Sequence, residues 1–458
     1  MRPLILLAAS ILGLLSCELE SAAGTESSFR IATFSADITV PIGHRSMGII
    51  PKKTDRLLDP LYAHGLVLLS DALPVVIVAL DYCEVRNGAY QEWRQALATA
   101  AGTTVPRVLV CSLHQHDAPV VDTQAEEFLS SVGLGGEMCD VEFHRATVTR
   151  VAQALQDSLE TAVTVTHFGI GQAKVEKIAS TRRVVRSDGR VNYDRGSNSG
   201  SNPIYQEAAE GDIDPWLKTL SFWNGDEAVV ALSSYAVHPM SYYGRGEISA
   251  DFVGMARDRR QRDDFSVKQI YVSGCSGDVT AGKYNDGSPS NRPVLADRLY
   301  QGMRRAWEET VRVPLKQFEF RHTPLELEFH EGEEFTEQAM LQVLRDPAAD
   351  ISERILAAMG LSSLSRIQAG HTIDFPCLDF GEAQVLLFPG EAFVGYQLLA
   401  QKIGHSSFVQ CIGYGECWPG YIPTRAAFEE EFGHGWRWVA PGAEARIQAV
   451  LEDLLLPE

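Results

Sequence analysis

The segment from Val75 to Leu113 constrains the fold more than any other part of the chain. Val75 to Leu80 (VVIVAL) is an unbroken apolar run of strand length. Ala89 to Ala100 sets Trp93, Ala96, Leu97 and Ala100 along one stripe, which predicts a helix. Val105 to Leu113 then reads as a second buried strand. Strand, helix, strand, with a crossover of that length, calls for parallel pairing. Further strands are expected at 164–170, 228–237, 268–273, 384–388 and 408–413. Helices are expected at 139–160, 294–310, 335–345, 351–359 and 392–403. The sum is an α/β fold: a mixed, mostly buried β-sheet flanked by helices. No internal repeat is visible. The stretch 176–216, rich in Asn, Ser, Gly and Arg, reads as a long surface excursion.

Charge and cysteine content remove several functions. Of 458 residues, 40 are Lys or Arg and 60 are Asp or Glu, a net charge of −20. Such a chain has no electrostatic reason to bind nucleic acid. Eight cysteines in this length are not a disulfide scaffold, and no Cys-x-x-Cys pair suggests a four-cysteine zinc knuckle. Arg2 followed by the apolar run Leu4 to Leu15 is too short to span a bilayer and suits a signal peptide. Leu14-Leu15-Ser16-Cys17 resembles a bacterial lipobox. Residues 1–17 are therefore expected to be a lipoprotein-type signal with Cys17 lipidated. Ordinary secretion with cleavage near Ala22-Ala23 is the alternative. Residues 18–28 form a polar tether, and 29–458 a folded domain. The expected location is a bacterial cell envelope or the exterior, with membrane contact through the lipid alone. Seven cysteines remain besides Cys17, so at least one thiol is free or paired between chains.

Four side chains stand at the ends of expected strands. His114 and His116 follow the strand 105–113, and residues two apart in an extended segment face the same way. His238 ends the run Ala228 to Val237, where Pro239 stops ladder pairing. Glu391 follows Val385-Leu-Leu-Phe-Pro-Gly390 and opens the helical run Ala392 to Gln401, where a carboxylate also suits the helix dipole. Tyr421 lies beyond the strand 408–413. Each has a bland reading as a packed or surface residue. Together they fit the rule that ligands of α/β sheets gather outside the carboxyl ends of strands. Two histidines and a carboxylate form a common zinc set. Ser273-Gly-Cys-Ser-Gly-Asp-Val279 is neither a nucleophile elbow nor a P-loop; it reads either as amides lining a pocket or as a tight turn.

These segments, in order, resemble the catalytic domain of the neutral (non-lysosomal) ceramidase family. Ser35-Ala-Asp-Ile-Thr-Val-Pro41 with Met47-Gly48 is similar to the family's opening, and Leu113-His-Gln-His-Asp-Ala-Pro119 to its His-x-His segment. Tyr235-Ala-Val-His-Pro-Met-Ser241 with Asp251, Gly274-Cys-Ser-Gly-Asp-Val279, Leu387-Phe-Pro-Gly-Glu391 and Tyr414 to Thr424 continue the likeness, which spans Phe34 to Phe432. The resemblance implies a zinc ion held by His114, His238, Glu391 and Tyr421. It also implies His116 acting beside the metal and hydrolysis of an N-acyl, sphingolipid-type amide. His116 would serve as general base and Tyr421 would stabilise the oxyanion. Asp81 and Asp117 would be partners orienting a histidine, or simple caps. The chain departs from the family after His116, where Asp117-Ala118-Pro119 stands, and at Val279-Thr-Ala-Gly282. Only Thr181-Arg-Arg183 answers to its headgroup segment, and no C-terminal immunoglobulin-like domain is expected. The expected activity is a zinc amidohydrolase on a small-molecule or lipid amide. The alternatives are a related metal hydrolase on another amide or ester, and a non-catalytic surface lipoprotein that binds lipid or glycan. If the histidines carry no reaction, Ser273 and Ser276 are the next candidates.

Overall fold

The computed structural model describes residues 29–404 and 408–456. The signal segment, Cys17 and the tether lie outside them. Instead of one large sheet there are three, taken in chain order. The first holds β1 (Phe29–Asp37), β2 (Tyr62–Leu69), β3 (Val75–Leu80), β4 (Val108–Ser112) and β5 (Val163–Val165), in the order β4-β3-β2-β1-β5. The second holds β6 (His167–Lys174), β7 (Trp216–Asn224), β8 (Glu227–Tyr235), β9 (Lys268–Ser273) and β10 (Val311–Pro314), in the order β9-β8-β7-β6-β10. The third holds β11 (Glu319–Leu325), β12 (Ile373–Asp379), β13 (Ala383–Leu387) and β14 (Phe408–Ile412), in that order.

The three sheets repeat one plan. In each, the successive pairs among the first four strands are antiparallel, antiparallel, then parallel. The parallel pair is bridged by a crossover helix: α1 (Asn87–Ala101), α3 (Asp251–Asp263) and α6 (Val394–Ile403). A closing helix then packs back on the first strand of its sheet and on the crossover helix: α2 (Val141–Ser158), α4 (Asn291–Glu308) and α7 (Ala443–Leu455). The sequence shows no repeat because the three units share topology rather than a residue pattern. Their insertions also differ. Residues 175–215 lie between β6 and β7, and 326–372 between β11 and β12, where α5 (Ile351–Gln368) is opened by an Asp350–Glu353 capping box.

Alternation explains why β3 is apolar throughout. Val76, Val78 and Leu80 face one core, shared with α1, α2 and the third sheet; Val75, Ile77 and Ala79 face the other, shared with the second sheet. A strand covered on both faces needs no polar side, and each fully buried valine contributes roughly 1.5–3 kcal/mol. The expected strand at 105–113 is shorter, since Val105–Arg107 is a 3-10 turn. All seven described cysteines are free and buried. No helix among the described residues is long and apolar enough to cross a membrane.

The fourth strands of the three units meet at their carboxyl ends. Ser112 N donates to Tyr414 O (3.0 Å), Gly413 N to Ser273 O (2.8 Å), and Ser273 Oγ to Leu113 O (2.8 Å). This closed ring of hydrogen bonds joins all three sheets. Just beyond it lie the loops that carry the candidate site.

Candidate metal centre

Each unit delivers one side chain to a single point. His114 comes from the loop after β4, His238 from the loop after β8, and Glu391 from the segment after β13. His114 Nε2 lies 3.1 Å from His238 Nε2 and 3.2 Å from Glu391 Oε2, and His238 Nε2 lies 3.0 Å from the same oxygen. All three residues are at most 2% exposed.

Local chain geometry aims them. His114 has φ of 71°, a left-handed turn that a histidine adopts at a cost of about 1–2 kcal/mol. The extended run expected through His116 is thus broken at His114. Its Nδ1 donates to Cys83 O (3.0 Å). His238 Nδ1 donates to Ser276 O (2.6 Å). With both Nδ1 atoms committed as donors, both Nε2 atoms present lone pairs. They face each other and a carboxylate oxygen across 3.0–3.2 Å. Two neutral imidazoles would leave these buried acceptors facing one another at about 1–3 kcal/mol each, a cost that a proton or a metal cation at their centre removes. Ligand atoms bound tetrahedrally to zinc stand about 3.3 Å from one another, so the donor set fits such an ion.

Glu391 does not open a helix. It pairs in a short parallel bridge with Tyr421, and α6 begins only at Val394. Gly277 packs so closely on this bridge that a Cβ there would sit 2.2 Å from Glu391 O. That contact accounts for the glycine-rich loop. Its amides at Gly274, Cys275 and Gly277 bond to Tyr235 O, Gln397 Oε1 and Ala392 O, so they knit the units together rather than line a pocket.

Tyr421 pairs with Glu391 through the backbone, and its hydroxyl accepts from Arg182 Nη2 (3.2 Å). Burial holds this phenol well above its ordinary pKa, against the pull of Arg182. His116 places its ring 5.4 Å from His114 and 5.9 Å from His238. It is 3% exposed, and neither ring nitrogen has a protein partner. Burial, then the neighbouring imidazoles, push its pKa well below 6.5. His238 is lowered to about 4, chiefly by burial. Burial opposes a charge on His114, but Glu391 lifts its pKa above the ordinary value. In turn the two histidines outweigh burial and hold Glu391 well below 4.5.

Other expected residues lie elsewhere. Asp81 is paired with Arg257 (2.5 and 3.0 Å) and accepts from Tyr62 N. Asp117 accepts from Gly244 N and faces Arg292. Neither orients a histidine; backbone carbonyls do that. Arg183 bonds Glu430 through Nε (2.7 Å) and Nη2 (2.5 Å), away from the centre, whereas its neighbour Arg182 reaches Tyr421. The stretch 176–216 is thus not only a surface excursion. Ser273 serves the ring of strand ends, and Ser276 Oγ pairs with Tyr414 Oη (2.8 Å). Tyr414, also left-handed at φ of 57°, stacks on His114 at 4.2 Å and lies 3.3 Å from His238 Nδ1. Tyr243, 39% exposed, rests its ring 4.6 Å from His116, and exposed His434 lies 4.6 Å from Tyr421. These two exposed rings pack against His116 and Tyr421 of the buried group. Sequence reasoning gives no role to Tyr243 or His434, and it reaches Arg182 and Tyr414 only as members of the segments Thr181-Arg-Arg183 and Tyr414 to Thr424. For Tyr243 the doubled tyrosine at 242–243, shortly after His238-Pro239, is the available signal.

Comparison with solved structures settles the architecture. A neutral ceramidase from Pseudomonas aeruginosa superposes with a TM-score of 0.68 at 16% identity, over 94% of this chain and 74% of that one. A ceramidase complexed with C2 gives 0.69 at 16% identity, over 94% and 75%. The fold is that of the neutral ceramidases. No family model matches the sequence, and no curated protein does. The likeness therefore lives in the mixed α/β fold and in short segments, not in overall sequence.

Proposed function

We propose that the chain is an exported, zinc-dependent amidohydrolase of the neutral ceramidase type, acting on an N-acyl amide of lipid class. The observation that supports it most is the convergence of two imidazole lone pairs and one carboxylate oxygen within 3.2 Å, from three separate units. His114, His238 and Glu391 would hold the ion, with Tyr421 as the fourth group. Zinc, when bound, supplies a Lewis acid for an amide carbonyl and lowers the pKa of a water.

The chain's own residues supply the remainder. His116, with both nitrogens free of protein partners, accepts a proton from the attacking water. It then returns that proton to the leaving amine as the carbon–nitrogen bond breaks. The Tyr421 hydroxyl hydrogen-bonds the oxyanion that forms on the former carbonyl, and Arg182 beside it supports that negative charge. Burial keeps bulk water from competing. Cys17 would anchor the mature protein through a lipid, and the proposed N-acyl substrate class is supported by likeness to ceramidases of the same fold. The proposed partners are this substrate and the membrane, the latter through that anchor.

The test combines metal analysis with a screen of N-acyl lipids, N-acyl amino acids and acylated sugars. His116→Ala is expected to keep the ion and lose about 10²–10⁴-fold in kcat. His238→Ala should lose both ion and turnover. Loss of zinc from His116→Ala as complete as from His238→Ala would make His116 a ligand rather than a base. A wild-type chain that holds zinc yet hydrolyses nothing in the screen would support a binding protein instead.

A further inference from the structure

The proposed mechanism leaves one buried nucleophilic group beside the centre unused. Cys83 follows β3, is fully buried, and has its Sγ 3.9 Å from His114 Nδ1. The ligand atoms of Cys83, His114 and His116 all lie within 4.8 Å of one another. His114 Nδ1 is already committed to the Cys83 carbonyl. That leaves a thiol and, within 4.8 Å of it, an imidazole with two unpartnered, buried nitrogens. An unsatisfied buried imidazole calls for a physical partner, and a sulfur with an imidazole is a soft donor pair suited to zinc and its heavier congeners.

We propose that Cys83 and His116 form a second metal site, adjoining the first, which takes a thiophilic divalent cation such as cadmium or excess zinc and thereby blocks hydrolysis. A tetrahedral ion with sulfur at about 2.3 Å and nitrogen at about 2.0 Å sets these atoms roughly 3.5 Å apart. The side chains must therefore close by about an ångström. With two protein ligands, completed by water, the site is weaker than the first and fills after it. Binding replaces the thiol proton, which leaves to solvent as the metal–sulfur bond forms, and no redox change is involved. Occupied this way, His116 has no lone pair for water. The inhibition rests on the zinc-hydrolase reading; the binding of the ion does not.

Cobalt titration tests the binding, because thiolate ligation gives a sulfur-to-cobalt charge-transfer band that histidine and carboxylate ligation lack. Metal-free wild type should show no such band at one equivalent of Co²⁺ and a clear one at two. Cys83→Ser should keep the first ion and lose both the second ion and the band. A missing band in wild type, or a band that persists in Cys83→Ser, overturns the proposal, the latter placing the ion on another cysteine. Should Cys83→Ser not fold, His116→Ala, which leaves every cysteine in place, must also lose the second ion. With turnover as readout, cadmium should inhibit wild type at concentrations at least about tenfold lower than those needed for Cys83→Ser; equal sensitivity contradicts the blocking role. Failure of the main reading is separately visible. If His238→Ala retains its first ion, the principal centre is misassigned, while the cobalt band still decides on Cys83.

Discussion

The first and third units use the same piece of backbone in two chemical states. After β3 the chain enters Glu84-Val85, paired in parallel with Val120-Val121; after β13 it enters Glu391-Ala392, paired in parallel with Tyr421-Ile422. Glu84 opposes Val120, and Glu391 opposes Tyr421. Both carboxylates are buried. Two residues further on, one unit has Arg86 and the other Phe393. Arg86 Nη1 binds Glu84 Oε2 at 2.8 Å, and Trp436 Nε1 donates to Glu84 Oε1 at 3.0 Å. Arg86 also bonds the carbonyls of Cys417 and Trp418, ahead of Tyr421. Glu84 is thereby neutralised and becomes part of the frame. Glu391 instead turns its charge toward two imidazoles. Topology fixes where a carboxylate stands, and the residue two places on decides whether its charge is met locally or left for a cation.

Removing the two carboxylates should separate these roles most sharply. Glu391→Gln is expected to abolish zinc retention and bring turnover to background, a loss no smaller than the roughly 10²–10⁴-fold expected of His116→Ala; metal analysis after dialysis checks it. Arg86→Met attacks the other state. It leaves Glu84 charged, buried and without its main partner, which should cost about 3–5 kcal/mol in urea unfolding. The double variant Glu84→Gln/Arg86→Met should recover most of that. An undiminished loss in the double variant would mean that Arg86 acts through its carbonyl bonds rather than through Glu84. Glu84→Gln alone should keep the ion. Glu84 Oε1 is 3.9 Å from His114 Nδ1, too far for a hydrogen bond, so only its charge acts. Competition with a chelator should show zinc affinity falling by about tenfold or less.

The smallest effect concerns Asp278, whose Oδ1 accepts from Val394 N (2.8 Å) and so caps α6 behind the Glu391 bridge. Burial raises this carboxyl to about 6, above the roughly 3.9 of an unfolded aspartate. Between those values the folded chain holds a proton that the unfolded chain has released. Its stabilisation is complete below about pH 4 and is lost as pH rises through about 6. Asp278→Asn should flatten the fall in unfolding free energy across that window by up to about 1.4 kcal/mol per pH unit. A steeper fall in the variant would reverse the sign.

What can be read from the sequence follows from where buried strands end. Val108 to Leu113, Ala228 to Val237 and Ala383 to Leu387 announce themselves as largely apolar runs. His114 and His238 follow such runs directly and Glu391 comes shortly after one, which is why these three stand out as candidates. The threefold plan is hidden because the units carry different residues at matching places, as Arg86 and Phe393 show. The helix Asp251–Asp263 escapes sequence reading because DFVGMARDRRQRD is highly charged; its inward residues include Arg257 and Arg260, which pair with Asp81 and Asp263. Arg182 sits in a stretch without periodicity, and only tertiary folding brings it to Tyr421. The left-handed turn at His114 leaves no mark in a sequence pattern.

If all three structurally repeated units give ligands to a common ion, anomalous diffraction at the zinc edge shows it directly. The crystals would hold protein loaded with one equivalent of zinc. One peak is expected, about 2.0–2.2 Å from His114 Nε2, His238 Nε2 and Glu391 Oε2. A peak elsewhere, or one that touches His114 without His238 and Glu391, would contradict the shared centre.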